Sequence, residues 1–332
     1  MRNLILPSFQ KFKRLALLAA PAAVLTAFAA SSALADTVGP ITFEPTTYVL
    51  GSPHLQDGWS ASGSAGIGCA PYDHKIATNS YGYASFGTQS LRMSNAVTSG
   101  CFGDQTFSKS LVNEAGETSA VGDGMSGGTR QKQFDAQWDF ASTVPGAEQP
   151  GLSVVASPDR GDGARMSWIQ MKDTPAGLEV NFFDYQSGAV EAGCVTGDNF
   201  ISSNVASGLD RTVPHTIKIT MQFVDGPAND IVKVYVDGIL KHTGTSWEDY
   251  FRECEGNPTR TVDSVLFRTG GTAAPATFGN GFLIDNLTLT SGPILVGPPT
   301  SKDQCKNDGW KTFNNPTFKN LGDCVSYANN GV

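Results

Sequence analysis

The sequence has no run of 18 apolar residues after position 35 and no helical hydrophobic period before residue 300. The first absence predicts no membrane span beyond position 35, and the second argues against a helix-rich fold. Basic residues are also scarce, with 23 lysines and arginines against 31 acidic residues. Four basic residues precede position 36, so the rest of the chain has 19 basic and 31 acidic side chains, a net charge of −12. This balance argues against nucleic acid or anionic lipid as a partner, because both require clustered lysine and arginine.

The first 35 residues have the three parts of a secretory signal peptide. Four basic residues lie within positions 2–14, residues 15–30 are apolar and rich in alanine, and Ala33-Leu34-Ala35 matches a cleavage site. The sequence therefore predicts export through a Sec-type signal to an extracellular or periplasmic location. The mature chain is expected to begin at Asp36.

Six cysteines follow the signal segment, and none of them forms a Cys-x-x-Cys pair that would support a zinc site. An even number of cysteines in an exported chain indicates disulfides, here three of them. Fifteen pairings are possible, and neighbouring cysteines are the preferred partners: Cys69–Cys101, Cys194–Cys254 and Cys305–Cys324.

Residues 36–291 have the period-two pattern of β-strands. Apolar and polar residues alternate in segments 134–140, 216–223 and 232–237, and turn sequences rich in glycine and proline separate these segments. Many short strands with such turns predict a β-sandwich or a barrel. Trp138 and Trp168 are expected to pack inside it.

A proline- and glycine-rich linker is predicted at residues 292–300, since these residues cannot continue a sheet interior. Residues 301–332 then form a small C-terminal module. The Cys305–Cys324 bridge and four aromatic residues, Trp310, Phe313, Phe318 and Tyr327, are expected to supply most of its stability.

Segment "HTIKITMQFVDGPANDIVKVYVDGILKHTG" resembles the paired strands of concanavalin A-like (laminin-G-type) jelly rolls. "ITFEP" and "GFLIDNLTLTS" resemble the first and last strands of jelly-roll carbohydrate-binding modules. Residues 40–291 resemble a family of exported bacterial proteins without assigned activity, and the tail resembles a Cys-Lys-Asn-x-Gly-Trp…Cys-Val-Ser module of such proteins. The resemblance implies an all-β, concanavalin A-like jelly-roll β-sandwich with a small disulfide-stapled C-terminal module.

The same resemblance implies a metal site. In jelly-roll binding modules, a glutamate on the first strand and an aspartate on the last strand often hold a structural calcium ion. Glu44 and Asp285 occupy the matching positions, with Ile284 and Leu287 expected to point inward beside them. The alternative is that Asp285 only caps a turn before Asn286.

Segment "SPDRGDG", residues 157–163, is predicted to join two strands. The leading interpretation is a polar hairpin loop, because proline, glycine and aspartate favour turns. The alternatives are a cation site formed by Asp159 and Asp162, since calcium prefers carboxylate and carbonyl oxygens, or a loop that contacts ligand through Arg160 and Asp162. Integrin-type adhesion through Arg-Gly-Asp is the least favoured reading.

Catalytic motifs known from this fold are missing, namely Glu-x-Asp-x-x-Glu, Gln-x-His and Tyr-x-Lys-x-Gly-x-Tyr. Asp135 and Asp139 share one strand face with Gln137 and are the best catalytic candidates. They lie about 13 Å apart on a strand, beyond the roughly 5–9.5 Å between the carboxylates of glycosidases. Either acid needs a partner from another strand, for which Glu179 is the candidate. A solvated outer face explains the same alternation.

Aromatic residues in loop-like segments are candidate sugar platforms, because the apolar face of a pyranose packs on flat rings. Tyr185, Trp247 and Tyr250 are selected together with Arg160 and Asp162. The sequence thus favours an exported carbohydrate-binding or surface-interaction protein whose partner is a poly- or oligosaccharide or a cell-envelope component. The alternatives are a polysaccharide hydrolase or lyase with a non-standard site on the concave sheet, and a structural envelope or matrix protein.

Overall fold

The computed structural model describes residues 36–62, 72–98, 104–111, 132–159, 165–185, 200–224, 228–254, 262–269, 271–294 and 296–330. The predicted signal peptide, Arg160, Asp162, Cys69, Cys101 and Cys194 lie outside these residues. The elements are β1 (Asp36–Ile41), β2 (Ser60–Ala61), β3 (His74–Thr78), β4 (Gln89–Met93), β5 (Gln105–Phe107), β6 (Gln133–Ser142), β7 (Ser153–Asp159), β8 (Trp168–Thr174), β9 (Gly177–Tyr185), β10 (Phe200–Leu209), β11 (His215–Gln222), β12 (Ile231–Val236), β13 (Ile239–Gly244), α1 (Glu248–Cys254), β14 (Ser264–Thr269), β15 (Phe282–Gly292) and α2 (Leu321–Asn330).

Two antiparallel sheets form the body of the described chain. One sheet has the strand order β13-β12-β11-β6-β15-β4-β3, with β1 also paired to β15, and the other has the order β10-β9-β8-β7-β14-β5-β2. Strands distant in sequence are neighbours in both sheets, as in a jelly roll. The architecture is the predicted all-β sandwich of two antiparallel sheets with a disulfide-stapled C-terminal module.

The inward faces of the two sheets share one hydrophobic core. The segments predicted as strands from their alternation lie in β6, β11 and β12, and their apolar residues point into this core. Trp138 is fully buried there, as predicted. Burial of this apolar surface supplies the main favourable free energy of folding, because the hydrophobic effect is proportional to the area removed from water.

A β-bulge in β15 separates the part of this strand that pairs with β4 from the part that pairs with β1. The first part of β15 pairs with β4 through Ile284↔Leu91, and its last part pairs with β1 through Leu287↔Ile41. The register against β6 shifts between Asp285 and Thr288, so Ile284 and Leu287 both point inward as predicted. The bulge therefore lies where β4 ends and β1 begins along the same edge of β15.

Among the described residues before position 300, one short α-helix is present although the sequence has no helical period there. Helix α1 spans seven residues and follows Ser246, whose Oγ accepts a hydrogen bond from the Glu248 backbone N–H at 3.0 Å. A helix of two turns is too short to leave a recognisable period in the sequence. Within the described part of the chain, neither length nor apolar content makes any helix a candidate for crossing a membrane.

The C-terminal module is closed by the predicted Cys305–Cys324 disulfide, and both cysteines are fully buried. Cys305 ends a 3₁₀ helix and Cys324 lies in α2. Asn314 hydrogen-bonds to the backbone of Val296 through both its main chain and its side chain, so part of the predicted linker contacts the module. Cys254 is also disulfide-bonded. Its predicted partner, Cys194, lies outside the described residues.

Candidate functional site

The outer face of the seven-stranded sheet carries a band of polar side chains. In β7, β8, β9 and β14 every second residue belongs to the hydrophobic core, so the residues between them point away from it. These outward positions include the amides, hydroxyls and charged groups of Ser153, Ser157, Gln170, Lys172, Glu179, Asn181, Ser264 and Arg268, together with the buried apolar side chains of Val155 and Leu266. The same alternation that builds the core therefore builds a polar surface on the opposite side of the sheet.

Three carboxamides form a hydrogen-bonded row across neighbouring strands. Asn204 of β10 lies opposite Asn181 of β9, which lies opposite Gln170 of β8. Asn204 Nδ2 donates to Asn181 Oδ1 at 3.1 Å, and Asn181 Nδ2 lies 3.4 Å from Gln170 Oε1 and 2.7 Å from Glu179 Oε1. Gln170 Nε2 continues the row by donating to Ser153 Oγ at 2.9 Å. Since strands lie about 4.8 Å apart, the row from β10 to β7 spans about 14 Å.

An aromatic cluster lies beside the amide row, one step further along β8 and β9. Trp168 is 5.9 Å from Trp247, and Phe200 is 4.4 Å from Trp247 and 5.3 Å from Tyr250, measured between ring centroids. The six members are Trp168, Phe183, Tyr185, Phe200, Trp247 and Tyr250. Tyr185 and Trp247 are buried, and the other four are partly exposed.

The three aromatic residues predicted as ligand candidates therefore lie in one cluster. Trp247 Nε1 donates to the Phe183 carbonyl at 2.8 Å, and the Tyr185 hydroxyl donates to Glu253 at 2.9 Å. Trp168 was expected inside the sandwich and lies instead on the outer face. Its position follows from the register, in which Ile169 rather than Trp168 points into the core.

Two guanidinium groups lie over the ring of Trp168. The Cζ atoms of Arg165 and Arg268 are each 5.6 Å from its centroid, within the range of cation–π attraction. Burial and the charge of Arg268 lower the pKa of Arg165 to about 10, and the charge of Asp159 opposes this shift. Burial also lowers the pKa of Arg268, against the influence of Asp104. Each cation is thus accompanied by an acid.

The segment containing Asp159 is more ordered than a hairpin loop. Ser157, Pro158 and Asp159 continue β7, Asp159 forms a β-bridge with Arg165, and its side chain is fully buried. The expected solvent-facing turn is therefore shorter than residues 157–163. Whether Arg160 and Asp162 contact ligand stays a prediction, because both lie outside the described residues.

The three candidate catalytic acids lie on different faces of the sandwich. Asp135 and Asp139 point outward from the eight-stranded sheet, where Asp135 pairs with Lys218 at 3.4 Å and Asp139 accepts from Thr216 at 2.6 Å. Glu179 points outward from the seven-stranded sheet and lies 3.7 Å from Lys172. The structure therefore does not bring Glu179 to either aspartate.

Asp285 lies at the bulge in β15, and Glu44 lies within electrostatic range of it. Glu44 follows β1 rather than lying on it, and it accepts hydrogen bonds from the backbone of Thr88 at 2.7 Å and of Gln89 at 3.3 Å. Partial burial raises the pKa of Glu44, but these bonds outweigh it, and the pKa lies below its ordinary value. Asp285 accepts from Ser90 Oγ at 3.1 Å.

Asp285 is a fully buried acid among other acids. Burial raises its pKa to about 8, and the charges of Glu44 and Asp139 contribute in the same direction. Hydrogen bonds from the Asn286 backbone and from Ser90 oppose the shift without cancelling it. Among the described residues, no basic side chain forms an ion pair with Asp285. A buried carboxylate without such a partner favours either a proton or a cation.

A divalent cation fits this pair only in part. A carboxylate has about four lone-pair positions, and the described hydrogen bonds use one on each oxygen of Asp285, two on Glu44 Oε1 and one on Glu44 Oε2. Both acids therefore retain capacity to bind a hard cation such as calcium. However, the described residues contain no group of three or more His, Cys, Asp or Glu that could hold a metal ion.

Sequence reasoning missed the residues of the amide row. Each residue lies at an outward position of a recognisable strand, so the alternation alone could have assigned it to a polar face. Their alignment depends on the register among β10, β9 and β8, which no local pattern reveals.

No protein-family model matches the chain, and no curated protein matches it. Among solved structures, it is similar to a sialidase at 13% identity and a TM-score of 0.36, a match that covers 75% of this chain and 17% of the sialidase. It is similar to the alginate lyase Aly36B at 11% identity and a TM-score of 0.40, a match that covers 78% of this chain and 97% of the lyase. It is also similar to the carbohydrate recognition domain of Emp46p in its potassium-bound form, at 15% identity and a TM-score of 0.30. This match covers 67% of this chain and 84% of the Emp46p domain. These matches assign no substrate or reaction to this chain.

Proposed function

We propose that this chain is an exported carbohydrate-binding protein whose poly- or oligosaccharide ligand lies along the outer face of the seven-stranded sheet. The observation that carries the proposal is the hydrogen-bonded row formed by Asn204, Asn181 and Gln170. Side-chain amides offer donors and acceptors together, as a ligand covered with hydroxyl groups requires. Fixed orientation reduces the entropy that these side chains would lose on binding.

The aromatic cluster beside the amide row also supports carbohydrate binding. A pyranose has an apolar face as well as hydroxyl edges, and partly exposed rings beside polar side chains suit both. Trp168, Phe183 and Phe200 are partly buried and packed against one another or against Trp247. Rings held in this way present a rigid surface, so a ligand contacts them at little cost in conformational entropy.

Binding is favoured over catalysis by the surroundings of Glu179. Its carboxylate accepts from Asn181 at 2.7 Å and lies 3.7 Å from Lys172. These contacts suit the carboxylate to orienting the amide row. A hydrolase or lyase would require a second group acting on the same sugar.

A structural calcium at Glu44 and Asp285 is part of the proposal. It is supported by the buried carboxyl of Asp285, by its proximity to Glu44 and by their place at the junction of β1, β4 and β15. Calcium there would clip the first strand to the last. Export through the predicted signal, with Asp36 as the mature N-terminus, also belongs to the proposal.

The test measures affinity for a panel of polysaccharides and oligosaccharides by isothermal titration calorimetry. Asn181→Ala should weaken binding about fivefold, because one hydrogen bond contributes about 1 kcal/mol. Gln137→Ala is the matched control, since Gln137 is an exposed amide on the outer face of the other sheet, and it should leave affinity unchanged. Equal losses in both variants would place the ligand elsewhere. Reducing-sugar and unsaturated-product assays on the same samples detect turnover, and turnover lost in Asn181→Ala with unchanged affinity would favour an enzyme.

A further inference from the structure

Among the residues that the structure describes, two serine hydroxyls and one indole N–H on the outer face of the seven-stranded sheet are buried without a hydrogen-bond partner. Ser157 of β7 and Ser264 of β14 are both 0% exposed, and within the described chain no group hydrogen-bonds to their Oγ atoms or to Trp168 Nε1. Buried polar side chains almost always have partners. Three that lack one in the same region point to a ligand.

These three groups belong to adjacent strands. Ala156 of β7 is paired with Ile169 of β8, so Ser157 and Trp168 lie next to each other one position further along. On its other side Ser157 is paired with Leu266, and Ser264 lies two residues along the same strand. All three polar groups therefore face outward within a patch about two strand spacings wide, or about 10 Å.

The arginines determine how a ligand reaches this patch. Arg268 lies on β14 and its guanidinium lies over Trp168 on β8, while β7 runs between these strands. The Arg268 side chain therefore crosses above β7, the strand that carries Ser157. An arginine side chain has several rotatable bonds, so a ligand that reaches Ser157 would have to displace the Arg268 side chain.

The charges around the patch are balanced. Asp159 lies within electrostatic range of Arg165, Asp104 lies within range of Arg268, and Lys172 is 3.7 Å from Glu179. The chain after residue 35 also carries a net charge of −12. Neither the local nor the overall charge attracts a polyanion. The three groups that could receive a ligand, two hydroxyls and one indole N–H, are neutral.

We propose that Ser157, Ser264 and Trp168 form a subsite that hydrogen-bonds to the hydroxyl groups of an uncharged glycan. The subsite rests on the proposed function and deepens it, since it selects neutral sugars over uronates and other acidic sugars. Retaining polar groups without partners lowers stability in the free protein, and binding recovers the missing hydrogen bonds. The two hydroxyls therefore strengthen ligand binding and lower the stability of the unliganded protein.

The test measures both stability and affinity, because removing either serine hydroxyl should raise the stability of the free protein and weaken binding. Ser157→Ala and Ser264→Ala should each raise Tm by about 2–4 °C and weaken binding to a neutral oligosaccharide about 3- to 10-fold. Trp168→Phe keeps an aromatic ring, removes the N–H and should also weaken binding. Ser90→Ala is the control, because Ser90 is equally buried but donates to Asp285. It should lower Tm and leave affinity unchanged.

The probes are cellohexaose, laminarihexaose, xylohexaose and mannohexaose as neutral sugars, with hexagalacturonate and an alginate hexasaccharide as anionic ones. Binding to at least one neutral probe, unchanged between low and high NaCl, is expected, because screening weakens only charge-driven binding. If only anionic probes bind, or if both serine variants bind neutral probes as the wild type does, the subsite is refuted while carbohydrate binding stands. A lower Tm in both variants also refutes it. Failure of every probe overturns the proposed function as well.

Discussion

Replacing Asp285 by asparagine removes a carboxyl group that the fold holds away from water beside Glu44 and Asp139. The shape of the side chain is kept, and the Ser90 hydroxyl can either donate to the new amide or accept from it. The experiment uses protein freed of metal with EDTA. It compares the free energies of unfolding of wild type and Asp285→Asn, from urea denaturation, between pH 5 and pH 8.

The expected difference follows from the pKa of Asp285. In the folded protein burial raises this pKa to about 8, from an ordinary value of 3.8. Between these values the folded state binds more protons than the unfolded state, so stability falls as the pH rises. Each pH unit costs about 1.4 kcal/mol, which amounts to about 4 kcal/mol between pH 5 and pH 8. Asp285→Asn should therefore be more stable than the wild type at pH 8. The free energy of unfolding of the variant, relative to that of the wild type, should rise progressively from pH 5 to pH 8.

Calcium should reverse this ranking if it binds at Glu44 and Asp285. It binds the ionised carboxylate, so saturating calcium should stabilise the wild type at pH 8 by RT ln(1 + [Ca]/Kd) and leave Asp285→Asn unchanged. Asp135→Asn is the control, because an exposed ion pair contributes about 1 kcal/mol or less. A difference between wild type and Asp285→Asn that does not vary with pH in EDTA would refute the buried acidic cluster. Equal melting curves with and without calcium would refute the metal site alone.

Two further predictions concern the same edge of the sandwich. Gly87→Ala should destabilise the protein by about 1 kcal/mol or more in urea denaturation, because the added Cβ would lie 2.1 Å from Glu44 Oε1 and Gly87 has a φ of 55°; an unchanged midpoint would show that Glu44 does not hold this turn. Arg92→Met should cost about 3–5 kcal/mol, since it leaves the buried carboxylate of Asp73 without its cation. Burial raises the pKa of Asp73, but Arg92 and Ser94 lower it further than burial raises it, so this stabilisation is present above the ordinary aspartate pKa and lost as the pH falls below it. A cost under about 1 kcal/mol at pH 7 would show that the pair is dispensable.

Much of the fold was predictable because a strand with one buried face shows a local alternation of apolar and polar residues in the sequence. Ile217, Ile219 and Met221 alternate with polar residues, and that alternation alone identified β11 and its buried face. The Cys305–Cys324 bridge was also predictable, since the two cysteines lie close in a short tail after the predicted linker. The candidate site was predictable only in part. Tyr185 was selected as a loop aromatic, but nothing local linked it to Trp247 and Tyr250.

The sequence by itself determined which residues share a strand face, because side chains alternate with a period of two whatever the strand packs against. It did not determine which face is buried where both faces carry apolar residues, and Trp168 was assigned to the wrong one. Only the tertiary structure decided that Glu179 and Asp139 lie on opposite sheets, that Asp285 is buried beside Glu44, and that Asn204 continues the row begun by Asn181. These relations depend on strand order and register, which are set by contacts between residues far apart in the chain. A one-residue change of register would turn every side chain to the other face.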